Sequence, residues 1–335
     1  MASTPHLSTA GRIEFGRFED RPSNADPTEG AGWPARWLRR TRLKEWVGFL
    51  VVHPEWSTSF IMQDAKYLAS SDFFAYHRPT DRLHARQAVA PPGALRLPSD
   101  LPDATCRFVR DGYSLEFAFD RADGAHRVLI DIAASEHSDA IRGELTLDTT
   151  ASSAPLSVSA KLPRGSLYTW KQVFAVGGTL SVGDEAIVFD PDRDLAIIDE
   201  HRSLLPYRTD WTWGTFAFRD AGRIVGANVA TRPQLPDQEE ESSLWIDGDC
   251  EPLADVSFTA KGDDPLGPWT IASDDGRLEV TFEPSRRNTV RHQLGVFAVD
   301  YFMMYGTYRG VVRGTHRTCD VDGVSGVCEK MRARL

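Results

Sequence analysis

One segment of fifteen residues carries most of the side chains that could do chemistry. Between Asp199 and Trp213 the sequence holds three acids, a histidine, two arginines, a tyrosine and two tryptophans. This segment directly follows the apolar run 195–198, which predicts a strand. Charged side chains at the end of an apolar strand are typical of a barrel mouth, where ligands bind. The segment is therefore the first candidate for a functional site.

The spacing within the segment predicts roles for its side chains. Alternation along a strand places Asp199 and His201 on one face and Glu200 and Arg202 on the other. An aspartate beside a histidine fixes its tautomer and raises its basicity, so Asp199 would orient His201 as a general acid–base. Glu200 is the alternative acid–base, and Arg208 would hold a polar end of the substrate or stabilise an oxyanion. The structural alternative is an ion-pair network that closes a strand corner.

Aromatic side chains are the candidates for substrate binding. Nine tryptophans and seventeen phenylalanines suffice to line a pocket for an apolar ligand. Trp211 and Trp213 are two residues apart and face the same side of a strand, either as a stacking platform or as one core layer. The predicted substrate-binding residues are His53, Trp56, Tyr67, Tyr207, Trp211, Trp213 and Tyr305. The alternative for each aromatic residue is that it fills a barrel core.

The elements that would position these residues are short strands. From Lys44 onward, runs rich in Val, Ile, Phe, Trp and Tyr recur every eight to fifteen residues, and Ser114–Asp120 and Leu278–Glu283 alternate apolar and polar residues. Turn signals of the Asp-Gly type separate several of the runs. No amphipathic helix longer than about two turns is expected. The pattern predicts an all-β sandwich or barrel and not βαβ units.

The first forty residues are expected to be irregular. The stretch from Pro22 to Pro34 is rich in proline, glycine and acids, which predicts a surface loop. Trp33 and Trp37 are expected to anchor this loop to the body of the protein. The basic segment Trp37–Leu43 is interpreted as a solvated face.

Composition excludes several classes of function. The net charge is −10, so a nucleic-acid partner is not expected. The apolar content is 41%, so wholesale disorder is not expected. No apolar run reaches the length of a membrane span, and no secretory signal is present, so a cytoplasmic location is expected. The four cysteines are predicted to be free thiols. No dinucleotide, P-loop or zinc spacing occurs, so neither a cofactor nor a metal is predicted.

Several motifs, in order along most of the chain, resemble a known family. They are His53-Pro-Glu-Trp56, the Asp199–Trp213 segment, Ser243-Leu-Trp-Ile-Asp-Gly248, Pro268–Arg277 and Tyr305-Gly-Thr-Tyr-Arg-Gly310. The sequence is on these motifs identified as a member of the family catalogued as domain of unknown function 2804. Ser203 stands where that family usually has glycine.

The family is itself similar to a wider group of paired lipocalin-like barrels, which includes carotenoid 1,2-hydratases (hydroxyneurosporene synthase) and fungal pericyclases. The resemblance implies an all-β fold of two antiparallel lipocalin-like barrel or sandwich domains with few short helices. The expected domains are residues 41–185 and 186–335, after an irregular segment at 1–40. The resemblance also implies chemistry without an organic cofactor on apolar substrates, but fold alone does not identify the reaction.

Three functions remain open from the sequence. The first is a cofactor-independent lyase or isomerase (hydratase, dehydratase, double-bond isomerase or cyclase) acting on a hydrophobic small molecule such as a terpenoid, polyketide, steroid or aromatic compound. The second is a non-catalytic barrel that binds the same kind of ligand. The third is a carbohydrate-active hydrolase, because tryptophan platforms beside carboxylates are also the glycosidase pattern. The oligomeric state is left open.

Overall fold

The computed structural model of the protein describes residues 5–120, 122–136, 138–233 and 235–334. Of the described residues, 64% lie in strands and 4% in helices, which confirms the all-β prediction. Contacts divide the chain into two units, 1–159 with 167–204, and 160–166 with 205–335.

A thirteen-stranded antiparallel sheet forms the first unit and curls into a nearly closed barrel. Its main path runs β7-β6-β5-β4-β15-β13-β11-β10-β9-β8, while β3, β12 and β14 attach beside it and β1 and β2 form a separate hairpin. The strands are β1 Ser8–Thr9, β2 Arg12–Ile13, β3 Gly16–Arg17, β4 Leu43–Val52, β5 Trp56–Asp64, β6 Ala69–His77, β7 Arg82–Ala90, β8 Thr105–Arg110, β9 Tyr113–Ala118, β10 Ala125–Ile132, β11 Ile141–Ser152, β12 Leu156–Leu162, β13 Gly165–Val182, β14 Glu185–Phe189 and β15 Leu195–Leu204.

The second unit is a nine-stranded antiparallel half-barrel. Its order is β19-β18-β17-β16-β24-β23-β22-β21-β20. The strands are β16 Arg208–Asp220, β17 Arg223–Thr231, β18 Ser243–Ile246, β19 Asp249–Pro252, β20 Val256–Ala260, β21 Trp269–Ser273, β22 Leu278–Leu294, β23 Phe297–Arg313 and β24 Thr318–Arg334. The predicted fold of two antiparallel β domains is thus confirmed.

Each unit has its own hydrophobic core, built by alternation along the strands. In the first unit Phe49 packs against Phe60 and Phe117 with ring centroids 5.8 and 5.1 Å apart. In the second, Tyr308 packs against Phe216 and Phe282 at 4.5 and 4.8 Å. Strands whose inward residues are apolar and whose outward residues are polar bury one face only, which is the period-two pattern of the sequence.

Strand β15 closes the first unit and carries three of the predicted catalytic residues, Asp199, Glu200 and His201. It lies between β13 and β4, and it pairs with β4 without interruption, from Leu195 opposite Val52 to Leu204 opposite Leu43. By contacts, β15 belongs to the first unit up to Leu204, and it is hydrogen-bonded to β4 along its length. The expected domain boundary after residue 185 stays a prediction.

The N-terminal segment contains a helix, α1, at Trp33–Arg42, and a short 3-10 turn follows later at Leu101–Asp103. A helix of ten residues was not expected in a segment predicted to be irregular. The prediction that Trp33 and Trp37 anchor the segment is wrong, since their side chains are 81% and 62% exposed. The arginine side of the helix, and not its tryptophan side, contacts the protein.

The cysteines agree with the expectation from the sequence. All four cysteines are thiols and none forms a disulfide, as predicted. Burial raises the pKa of the Cys106 thiol to about 12. In the described part of the chain, no helix combines the length and the apolar character needed to cross a bilayer.

Candidate functional site

Strand β15 presents two different sets of charged side chains on its two faces. Glu200 and Arg202 lie on the face that also carries Ala196 and Ile198, both members of the hydrophobic core of the first unit. Asp199 and His201 lie on the opposite face, as the alternation predicts. The two faces therefore have to be considered as separate sites.

The core-facing set is a buried chain of alternating charges. Arg21 donates through Nε and Nη2 to the two oxygens of Glu200, at 2.6 and 2.8 Å. Arg202 donates through Nε to Glu200 at 2.7 Å and through Nη1 to Glu45 at 2.5 Å. Glu45 in turn pairs with Lys66.

Backbone carbonyl oxygens complete the partners of this network. Arg21 also donates to the carbonyls of Pro22 and Ser99, at 2.9 and 3.0 Å. Arg202 donates to those of Leu97 and Pro98. Guanidinium groups hold both carboxylate oxygens of Glu200, so this residue belongs to an ion-pair network. Such a network is the structural alternative that the sequence analysis left open.

The pKa of Glu200 is held below its ordinary value of 4.5. Burial alone would raise it, but the charges and hydrogen bonds of Arg21 and Arg202 outweigh that effect. Glu200 is therefore ionised at neutral pH and has no proton to donate. Its predicted role as a general acid–base is not favoured by this geometry.

The lowered pKa of Glu200 predicts loss of stability in acid. Because the folded-state pKa lies below the unfolded value of 4.5, the stabilisation is fully present above that pH and is lost as pH falls through the folded pKa. We expect the unfolding free energy of the first unit to fall below pH 4.5 more steeply in the wild type than in Glu200→Gln. Denaturant unfolding across an acidic pH series measures this, and equal slopes would contradict it.

The opposite face of β15 carries a cluster of Lys171, Asp199, His201 and Trp46, which we call the Lys-Asp-His cluster. Lys171 of β13 forms an ion pair with Oδ1 of Asp199 and lies 3.4 Å from Nε2 of His201. Nε2 of His201 is also 3.4 Å from Oδ1 of Asp199. Three titratable groups therefore meet within a few ångströms, with one histidine nitrogen shared between a donor and an acceptor.

Trp46 of β4 fixes the orientation of the cluster. It is the direct cross-strand partner of His201, and the two rings stack with centroids 4.4 Å apart and 24° between their planes. Its Nε1 donates to Oδ2 of Asp199 at 3.3 Å. The imidazole is thus held between an indole face and a charged pair.

Solvent reaches the Lys-Asp-His cluster through Asp199. The side chain of Asp199 is 25% exposed, while those of His201 and Lys171 are buried. A small molecule approaching this face would meet the carboxylate first. A carboxylate backed by an ammonium and an imidazole can pass a proton among its members, which is the requirement for acid–base chemistry.

The other predicted residues of the first unit lie apart from this cluster. Nδ1 of His53 accepts a hydrogen bond from the backbone N–H of Glu55 at 3.1 Å, and burial lowers the pKa of His53. Trp56 is buried in the core and stacks on His77 at 4.5 Å. Tyr67 is partly exposed beneath the ammonium of Lys44. For Trp56, core packing is the observed role.

Arg208 and Tyr207 belong to the second unit. Arg208 opens β16 and lines an open groove of about 870 Å³ together with Asp210, Arg291, Asp300, Arg332 and Arg334. Tyr207 is exposed, and its hydroxyl donates to the carbonyl of Val296. Arg208 thus has the polar, accessible setting that binding a charged group needs.

Trp211 and Trp213 share one face of β16, as predicted, opposite the face that packs into the core of the second unit. Trp211 donates through Nε1 to Glu329 at 2.8 Å, and Tyr301 donates to the other oxygen of Glu329 at 2.7 Å. Trp213 donates through Nε1 to Asn228 at 2.7 Å. Both indoles are oriented by hydrogen bonds, unlike rings that only fill a core.

Tyr305 is fully buried in β23. It lies on the strand face that also carries Tyr301, an even number of residues away. Its predicted role in substrate binding stays a prediction.

Sequence reasoning missed Lys171, Trp46, Glu329 and Tyr301. Each reaches its partner across neighbouring strands, so no spacing along the chain links them. The one available signal for Lys171 was its place inside the run Tyr168-Thr-Trp-Lys-Gln-Val173, where a charged residue interrupts buried positions.

In the described part of the chain, no group of three or more His, Cys, Asp or Glu side chains is placed to hold a metal ion.

The protein is a two-unit antiparallel β protein that consists of a nearly closed barrel and a half-barrel. The chain belongs to the family described as domain of unknown function (DUF2804), whose model matches residues 14–335. The resemblance inferred from the motifs is thereby confirmed. A comparison of the sequence with curated proteins gives no significant match.

Solved structures share the fold at low sequence identity. CghA with Sch210972 superposes with a TM-score of 0.57 at 11% identity, covering 88% of each chain. CghA alone gives 0.53 at 10% identity, with the same coverage. Kievitone hydratase from Nectria haematococca gives 0.50 at 11% identity, covering 98% of this chain and 97% of that one. At these identities the likeness establishes the fold.

Proposed function

We propose that the protein is a lyase or isomerase that works without an organic cofactor on a hydrophobic small molecule. The observation that carries this proposal is the Lys-Asp-His cluster, in which an ammonium, a carboxylate and an imidazole lie within hydrogen-bond reach of one another. The accessible carboxylate of Asp199 and the stacked imidazole of His201 are the proposed acid–base pair. Lys171 and Trp46 are the proposed positioning residues.

The chemistry of hydration illustrates what this cluster would do. Adding water to a carbon–carbon double bond needs a proton delivered to one carbon and a proton taken from the water that bonds to the other. Dehydration reverses both transfers, and a double-bond shift needs removal and return of a proton without water. His201 and Asp199 would exchange these protons, and the Lys171 ammonium would hold the Asp199 carboxylate in place.

The structural neighbours support this class of reaction. One of them is named a hydratase of kievitone, and another was solved with the small molecule Sch210972. Hydration of a small organic molecule is among the reactions that the proposal includes. Because a fold hosts unrelated functions, the reaction itself rests on the cluster and not on this likeness.

We assign substrate binding to the oriented aromatic residues of the second unit, Trp211 and Trp213, with Tyr207, Tyr305, His53 and Tyr67 as further candidates. Indoles held by Glu329 and Asn228 offer rigid apolar faces to a ligand. Arg208, in its open groove, would hold a polar end of the substrate.

The alternative function is binding of a hydrophobic ligand without catalysis. The observation that favours it is the ion pair between Lys171 and Asp199, which stabilises the two charges whether or not a reaction occurs. A carbohydrate-active hydrolase is less favoured, because Asp199 and Glu200 face opposite sides of β15 and Glu200 is locked by two arginines. A cytoplasmic location remains a proposal.

A ligand screen tests these functions together. The purified protein is incubated with kievitone, terpenoids, steroids, fatty acids, lignin-like aromatic dimers and oligosaccharides, and both thermal shift and product mass are measured. We expect an apolar probe to raise the melting temperature and to gain water, lose water or isomerise. A thermal shift without any product would favour the binding function, and conversion of oligosaccharides alone would contradict the proposal.

A further inference from the structure

Helix α1 has the reverse of the usual orientation of an amphipathic helix. At about 100° per residue, Trp33, Pro34, Trp37, Leu38 and Thr41 fall on one side, and the four arginines fall on the other. A surface helix normally turns its apolar side to the core. None of the residues of α1 is buried, so this helix does not do so.

Contacts on the arginine side explain the orientation. Arg39 donates through Nη1 to the carbonyl oxygen of Gly11 at 2.9 Å, and Arg36 lies 3.6 Å from a carboxylate oxygen of Asp26. The chain before the helix is held tightly, because Gly30 has a φ of +69° and a Cβ there would lie 2.7 Å from the nitrogen of Gly11. The helix is thereby attached through its polar side.

The outward side of α1 is an exposed apolar surface bordered by positive charge. Trp33, Trp37 and Leu38 are 81%, 62% and 57% exposed. On the helical projection Arg40 and Arg42 lie at the two borders of this surface, and both are exposed. The sequence of the helix contains four arginines and no acid, within a chain of net charge −10.

We propose that the outward side of α1 binds the surface of a bilayer that contains anionic phospholipid. Tryptophan favours the boundary between headgroups and acyl chains, where the indole is partly apolar and partly wet. Arginines at the borders of the apolar surface would extend to the lipid phosphates. The helix lies on the membrane and does not span it, since ten residues rise only about 15 Å.

Charge favours this occupant over a second copy of the chain. Two copies of α1 meeting through their outward sides would bring together the four border arginines, Arg40 and Arg42 of each copy, with no acid from either helix, which like-charge repulsion opposes. Three apolar side chains also bury much less surface than the roughly 1,200 Å² of a stable dimer interface. An anionic bilayer offers complementary charge and an apolar layer at once.

This proposal does not depend on the proposed function. A protein that takes up hydrophobic molecules would gain access to them at a membrane, but α1 would bind lipid whether or not the Lys-Asp-His cluster is catalytic. The two proposals therefore fail on different measurements.

Vesicle co-sedimentation tests the proposal with the full chain. Vesicles of phosphatidylcholine alone are compared with vesicles of phosphatidylcholine and phosphatidylserine, at low and high salt. The variants are Trp33→Ala/Trp37→Ala and Arg40→Glu/Arg42→Glu. The matched controls are Val188→Ala and Arg110→Glu, which change an exposed apolar and an exposed basic residue elsewhere in the first unit.

We expect the wild type and both controls to sediment with the phosphatidylserine vesicles, and to bind less at high salt. Each helix variant is expected to lose about tenfold or more of the vesicle affinity. Since no residue of α1 is buried, circular dichroism should be unchanged in both. No sedimentation with phosphatidylserine, equal binding to phosphatidylcholine alone, or binding unaffected by the variants would overturn the proposal. So would a dimer in solution that the tryptophan variant dissociates.

Discussion

Replacing Glu200 by alanine is expected to destabilise the first unit by about 3–5 kcal/mol. The change would remove the buried carboxylate that pairs with Arg21 and would leave Arg202 with Glu45 alone, while both guanidinium groups stay fixed to backbone carbonyls. Uncompensated buried charge costs far more than the ion pair itself contributes. Hydrogen exchange of the amides in β4 and β15 under increasing denaturant measures the loss in this unit alone.

A matched control for this prediction is Asp131→Ala. Asp131 pairs with Arg142 at 3.0 Å, within hydrogen-bond distance like the buried pairs, but both side chains are mostly exposed. Surface ion pairs contribute at most about 1 kcal/mol, so this variant should be nearly neutral. If the two variants lost equal stability, the burial of the Glu200 network would not be what makes it important.

Replacing His201 by alanine is expected to lower turnover of any substrate found in the screen by about 10²–10⁴-fold, the usual contribution of a general acid–base. An imidazole is the side chain whose ordinary pKa lies nearest to neutral pH. The pH profile of the reaction should lose one limb in the variant. Steady-state kinetics across a pH series measures both effects.

His126→Ala is the matched control for His201. His126 is also buried in the first unit, where its ring lies against Phe119 and Phe174 at 5.1 and 5.4 Å. Its loss should reduce stability and leave turnover unchanged. Turnover that persists in His201→Ala, or falls equally in both variants, would remove His201 from the proposed mechanism.

The fold was predictable where one face of a strand is apolar. The runs Ser114–Asp120 and Leu278–Glu283 alternate; the first covers most of β9 and extends two residues beyond it, and the second lies at the start of β22. Strand β13 is less easily predicted, because it runs through Gly177 and Gly178, and glycine is uncommon inside strands. Gly178 has a φ of +115°, and a Cβ there would stand 2.2 Å from the carbonyl oxygen of Glu144.

The site was predictable only along a single strand. Alternation correctly separated Asp199 and His201 from Glu200 and Arg202. The partners that decide their chemistry, Lys171 and Arg21, lie on distant parts of the chain, and no local pattern connects them. Arg21 borders a stretch rich in proline and glycine that predicted a surface loop, yet its side chain is fully buried.

The contact between Arg21 and Glu200 joins residues 179 positions apart. During synthesis on the ribosome, the arginine therefore emerges long before the carboxylate that neutralises it. Strand β4 likewise lacks β15, one of its two partners in the sheet, until β15 has been synthesised. Loop closure over such a span is slow. The nascent barrel thus has an open seam until its last strand arrives, and its assembly is completed only after nearly the whole first unit has been translated.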